Sequence, residues 1–190
     1  MARKNKKKVF HELEVIDAGA KGKAIAKAPD GKVVFIDNAV PGDIADIQTY
    51  KKRKSYYYGK VSNYISYSDK RTEPVCQHFG TCGGCKWQNM DYKYQLFYKQ
   101  QEVENNLRRL GKIELPETTP ISGSENIYFY RNKMEFSFSD SRWLTLDEIN
   151  SGEDIEDKNA LGFHIPGMWD KILNIKKCHL QEDPSNAIRN

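Results

Sequence analysis

The sequence predicts a mainly β protein with some α: a small five-stranded barrel, then an α+β region with an antiparallel sheet and a cysteine-bearing loop. Three observations predict it. Residues 9–67 consist of short apolar runs separated by turn signals, with almost no helical periodicity. A single stretch, 92–110, has helical spacing of its apolar residues. Three of the four cysteines fall in Cys76-Gln-His-Phe-Gly-Thr-Cys82-Gly-Gly-Cys85, spaced C-x5-C-x2-C, and the fourth is the distant Cys178.

The elements follow in order. The N-terminal 1–8 is a basic tail, and Arg3–Lys8 reads equally as a polyanion contact or a solvated end. Phe10, Leu13 and Val15 belong to a first strand. Lys21–Ala28, the turn Pro29-Asp-Gly and Val33–Ile36 form a hairpin, because proline presets φ and glycine relieves the exit. Pro41-Gly-Asp43 turns the chain into a strand carrying Ile44, Ile47 and Tyr50, and Tyr56–Ile65 makes the last. Five short strands over 9–70 suggest a closed barrel of the oligonucleotide-binding type. A barrel of roughly sixty residues has little core of its own and is expected to dock on the rest of the chain.

The remaining residues, 71–190, read as one further domain: a loop over 71–91, a helix over 91–110 and a sheet over 130–178. Leu96, Val103, Leu107 and Leu110 mark the helix's apolar face, Asn89 or Asp91 its cap, and Gly111 its end. Residues 132–139 alternate, with Met134, Phe136 and Phe138 facing inward. The acidic 147–159 reads as an exposed hairpin excursion. Leu161–Ile165 and Lys171–Ile175 are strands joined at Pro166-Gly167, the second delivering Cys178, and the sheet is expected to pack on the helix. Asp183-Pro184 resembles a helix start. Its few following residues suggest a fragment of a longer protein.

Composition narrows the function. Thirty basic and 26 acidic residues give a net charge of +4, concentrated in residues 1–71. That bias suggests a polyanion such as RNA. There is no apolar run long enough to span a bilayer and no secretory signal, so a cytoplasmic monomer with reduced cysteines is expected. Oxidised cysteine pairs are the alternative. Four thiolates suit zinc or an iron–sulfur cluster, and a close trio with a remote fourth favours the cluster. His78 and His179 adjoin these cysteines but are not needed as ligands. Lys51-Lys52-Arg53-Lys54 precedes three tyrosines. Alternation puts Tyr56 and Tyr58 on one face and Tyr57 on the other, one set in the core and the other available to stack bases. Lys51, Lys52, Arg53, Lys54 and Tyr57 are the candidate RNA contacts here. Arg131 and Lys133 are further candidates, or else strand-edge charges.

The cysteine loop, preceded by Ser68-Asp-Lys-Arg71-Thr-Glu-Pro74, resembles that of the RNA uracil-C5 methyltransferases that carry an iron–sulfur cluster. Tyr92–Lys99, Tyr130-Arg-Asn-Lys133, Leu161-Gly-Phe-His164 and Cys178 are similar too. Asp30–Ile36 with Val40-Pro-Gly-Asp43 resembles the TRAM domain that opens many members. The resemblance implies a [4Fe–4S] cluster on Cys76, Cys82, Cys85 and Cys178, with rRNA or tRNA as partner. It also implies methyl transfer from S-adenosylmethionine to C5 of a uridine, activated by a cysteine thiolate at C6, in a Rossmann-like C-terminal domain. No G-x-G-x-x-G occurs here and no cysteine is left as nucleophile, so S-adenosylmethionine is expected only in the full-length enzyme and these residues alone to be inactive. A free-standing zinc-binding RNA module is the alternative. A radical methylthiotransferase piece would show C-x3-C-x2-C, which is absent.

Overall fold

The computed structural model describes residues 8–190. The basic tail lies outside them, except for Lys8, whose N–H donates to Thr49 Oγ1 at 3.0 Å. The chain forms two compact units: residues up to Glu73 with Trp87–Gly123, and Pro74–Lys86 with Ser124–Asn190.

In the first unit β1 (Val9–Gly19), β2 (Lys23–Lys27), β3 (Val33–Asp37), β4 (Ile44–Lys52) and β5 (Tyr56–Ser66) close into a barrel in the order β1-β2-β3-β5-β4. The β3–β5 pair is parallel and the others are antiparallel. Closure removes the exposed strand edges that so small a sheet would otherwise present. Alternating side chains fill the inside: Val15, Ala24, Ala26, Val34, Ile36, Ala45, Ile47 and Tyr57. Phe10 and Leu13 both point inward although three residues apart, because the β1–β4 register shifts between them and Glu12 takes a positive φ.

The turn Val40-Pro-Gly-Asp43 carries the unit's most buried charge. Asp43 is fully buried and accepts from Val40 N at 2.7 Å and Ser68 N at 3.0 Å. Arg71 completes the set, donating from Nε and Nη2 at 2.7 Å each. One carboxylate therefore joins the entry to β4 with the chain leaving β5.

Helix α1 (Tyr92–Arg109) starts where Asp91 accepts from Lys93 N at 3.0 Å. It differs from the expected arrangement in its partner. It belongs to the barrel unit and packs through Tyr98, with Ala18, Val40 and Met90, rather than under the later sheet. Val103 and Leu110 are exposed at 58% and 79%. The periodic stripe reports amphipathicity, whereas the docking surface meets only the helix's first half, at Tyr94 and Tyr98.

In the second unit β6 (Ser137–Ser139), β7 (Ala160–Ile165) and β8 (Met168–Asn174) form an antiparallel sheet in that order. Gly162 lies so close to β8 that a Cβ there would sit 1.9 Å from Leu173 O, so only glycine permits this pairing. The core comprises Ile165, Leu173, Ile175, Cys178 and Leu180, with Met134, Trp143, Phe163, Cys82 and Cys85 against it. Two expectations change. The strand expected over 132–139 is regular only at β6, so its alternation breaks: Met134 reaches the core, Phe136 lies 4.8 Å from Phe163, and Phe138 is 84% exposed. The acidic excursion is not a hairpin but contains helix α2 (Leu146–Ser151), started by a capping box of Thr145 and Glu148. A short α3 (Ser185–Arg189) follows the Asp183-Pro184 signal.

Candidate metal centre and nucleic-acid interface

All four cysteines belong to the second unit. The loop that carries three of them folds on itself through Phe79 N to Cys76 O at 3.0 Å and Cys82 N to His78 O at 2.8 Å. Gly84 N–H points at Cys82 Sγ at 3.4 Å, the contact that electron-rich sulfur attracts. Gly83 passes against Pro166, whose Cγ would lie 3.0 Å from a Cβ, so the loop fits the β7–β8 connection only because that position is bare.

Cys178 arrives from β8 and is 8% exposed. Its peptide is gripped on both sides by Asn186, which accepts from Cys178 N at 2.8 Å and donates to Cys178 O at 3.1 Å. Arg189 adds bonds to Asn186 Oδ1 at 3.0 Å and Lys176 O at 2.7 Å, so α3 clamps residues 176–178. From the loop side, His78 Nε2 accepts from Lys176 N at 3.0 Å. That bond requires an unprotonated Nε2. Burial and the nearby Lys176, Arg189 and His179 hold the imidazole's pKa below its ordinary value. His78 therefore ties the cysteine loop to the Cys178 segment as an acceptor.

The chemistry of the donor set was tested against its surroundings. The four cysteines are thiols rather than disulfides. Burial pushes the Cys82 thiol up; the Gly84 N–H opposes this, and Cys85, Cys76 and Cys178 add to it. Each of the other three sulfurs is thus within electrostatic reach of Cys82, and Cys178 packs in one apolar cluster with Cys82 and Cys85. Among the described residues no three His, Cys, Asp or Glu side chains are drawn into a closed metal-holding geometry. The four thiols share a neighbourhood without forming a coordination sphere. Their softness, number and shared burial fit a thiophilic metal or cluster.

The candidate RNA contacts fall in both units. In the first, Lys51 and Lys52 end β4, Arg53 and Lys54 form the turn into β5, and all four are exposed. Tyr57 is a correction. It is 3% exposed, its ring lies 5.2 Å from Phe10 in the barrel core, and its hydroxyl donates to Asp30 at 2.7 Å. The outward tyrosines are Tyr56 and Tyr58, because β5 runs parallel to β3 with Val34, an inward residue, opposite Tyr57. In the second unit Arg131 and Lys133 are exposed, but Lys133 Nζ lies 2.8 Å from Glu135, so its charge is already paired.

Asn186, His78 and Arg189 were not legible as site residues. An asparagine in a five-residue helix carries no spacing signal, and its partner is a backbone eight residues away.

No protein-family model matches the chain. A Bacteroides thetaiotaomicron protein named an uncharacterized RNA methyltransferase is 53% identical over 171 residues, 90% of this chain and 37% of that protein. A Porphyromonas gingivalis protein of the same name is 44% identical over 180 residues, 93% of this chain and 38% of its own length. The crystal structure of Pyrococcus abyssi tRNA (uracil-54, C5)-methyltransferase with S-adenosyl-L-homocysteine matches with a TM-score of 0.52 at 23% identity, covering 94% of this chain and 35% of that one. At that identity the likeness concerns the fold. Among the described residues no helix is long and apolar enough to cross a membrane. Over nine-tenths of its length the chain is homologous to proteins named RNA methyltransferases, and it spans a little over a third of theirs.

Proposed function

We propose that these residues are the RNA-binding and iron–sulfur portion of an S-adenosylmethionine-dependent RNA uracil-C5 methyltransferase, acting in the cytoplasm as a monomer on structured rRNA or tRNA. The observation that carries the reading is four thiols gathered in one unit of a chain homologous to RNA methyltransferases. The fold likeness to a tRNA uracil-C5 methyltransferase supports the choice of reaction. The closed barrel with a basic β4–β5 turn supports RNA binding through a TRAM-like domain.

Cys76, Cys82, Cys85 and Cys178 would hold the cluster, which supplies a cross-link between the loop and the segment after β8 rather than an electron. The family reaction is polar, and four cysteine ligands complete a [4Fe–4S] set. With every thiol used as a ligand, methyl transfer needs a nucleophilic cysteine and a methyl-donor site from elsewhere in a longer protein. By themselves these residues bind RNA and do not methylate it.

Anaerobic purification followed by iron, sulfide and zinc analysis tests the metal. Four irons and four sulfides per chain are expected for such a cluster, roughly, with a broad visible absorbance. One zinc without iron would replace this reading with that of a zinc-binding RNA module. RNA affinity measured against salt tests the rest. It should fall linearly on a log–log plot as phosphate contacts release counterions, and salt-independent or absent binding refutes RNA recognition.

A further inference from the structure

The outer surface of a small barrel faces water, so its outward positions are ordinarily polar. Here one patch is aromatic. Phe35 on β3 and Tyr56 and Tyr58 on β5 point outward, with ring centroids 5.4–5.5 Å apart. Tyr50, at the end of β4, lies parallel to Tyr58, with 6.2 Å between centroids and 16° between planes, and is 50% exposed. The parallel β3–β5 register sets Phe35 opposite Tyr58, and the β4–β5 pairing sets Lys51 opposite the same tyrosine.

The patch is held rigid and charged. Tyr50 donates its hydroxyl to Asp37 Oδ2 at 2.7 Å, while the other oxygen of Asp37 pairs with Lys23, which fixes the ring's orientation. Lys23 Nζ and Lys51 Nζ lie 5.8 and 5.7 Å from the Tyr58 ring centroid. Lys52, Arg53 and Lys54 continue from Lys51 into the exposed turn. A fixed aromatic ledge with ammonium groups at its margin matches one ligand chemistry: flat π-faces strung on a polyanion. A base within a duplex has its faces covered by neighbouring pairs, so the ledge suits unpaired nucleotides.

We infer that Tyr50 and Tyr58, backed by Phe35 and Tyr56 and flanked by Lys23 and Lys51, form a stacking site for unpaired RNA bases. The inference rests on the RNA-binding reading above and deepens it: this face of the barrel takes a splayed single-stranded segment, with the β4–β5 turn on its phosphates. Tyr57, in the core, takes no part.

Fluorescence anisotropy of a labelled oligouridine with the whole chain tests the site, folding being checked by far-UV circular dichroism. Tyr50→Ala and Tyr58→Ala should each weaken binding roughly five- to hundredfold, the range that losing one base–aromatic stack gives. Tyr50→Trp should retain or tighten it. Lys51→Ala should weaken binding and reduce the salt slope by about one. A blunt RNA duplex should compete poorly. If the unaltered chain binds the oligomer but Tyr50→Ala and Tyr58→Ala bind equally well, or if the duplex competes as well as the single strand, the stacking site is refuted and RNA recognition stands. If the unaltered chain binds no RNA, the functional reading fails and takes the site with it. Should Tyr58→Ala unfold, Tyr50→Ala decides, since its half-exposed ring is not core.

Discussion

Arg71→Ala should destabilise the barrel unit strongly, for a reason that can be worked out atom by atom. Asp43 is fully buried and receives four N–H groups, two from backbone and two from the Arg71 guanidinium at 2.7 Å. Truncating Arg71 leaves a buried carboxylate with only the two backbone donors. Removing one partner of a buried pair costs about 3–5 kcal/mol. Arg71 is 20% exposed on its side chain, which admits some water and favours the lower end. The guanidinium also sits 4.7 and 5.1 Å from the Tyr64 and Tyr67 ring centroids, contacts worth about 0.5–1 kcal/mol each. A loss of about 3–4 kcal/mol is therefore expected, a large share of the roughly 5–15 kcal/mol that a domain has. Urea unfolding followed by the fluorescence of Trp87, which lies in this unit, measures it. Arg71→Lys should recover part of the loss through charge without the two-pronged fit. Combining Asp43→Asn with Arg71→Met should be less harmful than Arg71→Ala, since no charge is left stranded. An Arg71→Ala cost below about 1 kcal/mol would refute the reasoning, because the carboxylate would then be satisfied without its partner.

Three further outcomes are expected. Asn186→Ala should cost about 1–3 kcal/mol in metal-free protein, by leaving the Cys178 peptide without its two side-chain partners, and should speed metal loss to a chelator; unchanged release kinetics would remove Asn186 as a positioning residue. Cys178→Ser should abolish the stability difference between metal-loaded and metal-free protein, which for a link closing about ninety residues reaches about 4–5 kcal/mol in a chain-entropy account. Glu148 is held at about 2, from an ordinary 4.5, first by the Arg142 guanidinium and then by the Thr145 N–H. Its contribution to the α2 cap is thus fully present above pH 4.5 and is lost as pH falls through about 2. Hydrogen exchange of α2 amides should rise over that window, and Glu148→Gln should flatten the dependence.

Local signals explain much of what was readable. Pro29-Asp-Gly and Pro41-Gly-Asp43 punctuate the β strands where expected, and Asp91 caps α1. Where context overrides pattern, the reading faltered. The stripe Leu96–Leu110 is amphipathic, yet its far half meets no core among the described residues of its unit. Thr145-Leu-Asp-Glu148 is a capping box that charge density in 147–159 obscured. Phe138 has the parity of Met134 but not its environment, since the strand between them is irregular.

The order of apolar runs and turns was enough to specify a five-stranded barrel, because alternation and turn chemistry are local properties of the chain. The four cysteines were legible for the same reason: their donor chemistry resides in the side chain itself. Which tyrosines face outward, which asparagine grips Cys178, and which arginine neutralises Asp43 were decided only by tertiary structure. Each depends on the register between segments distant in sequence, and that register is set by how the cores close, not by any residue's own preference.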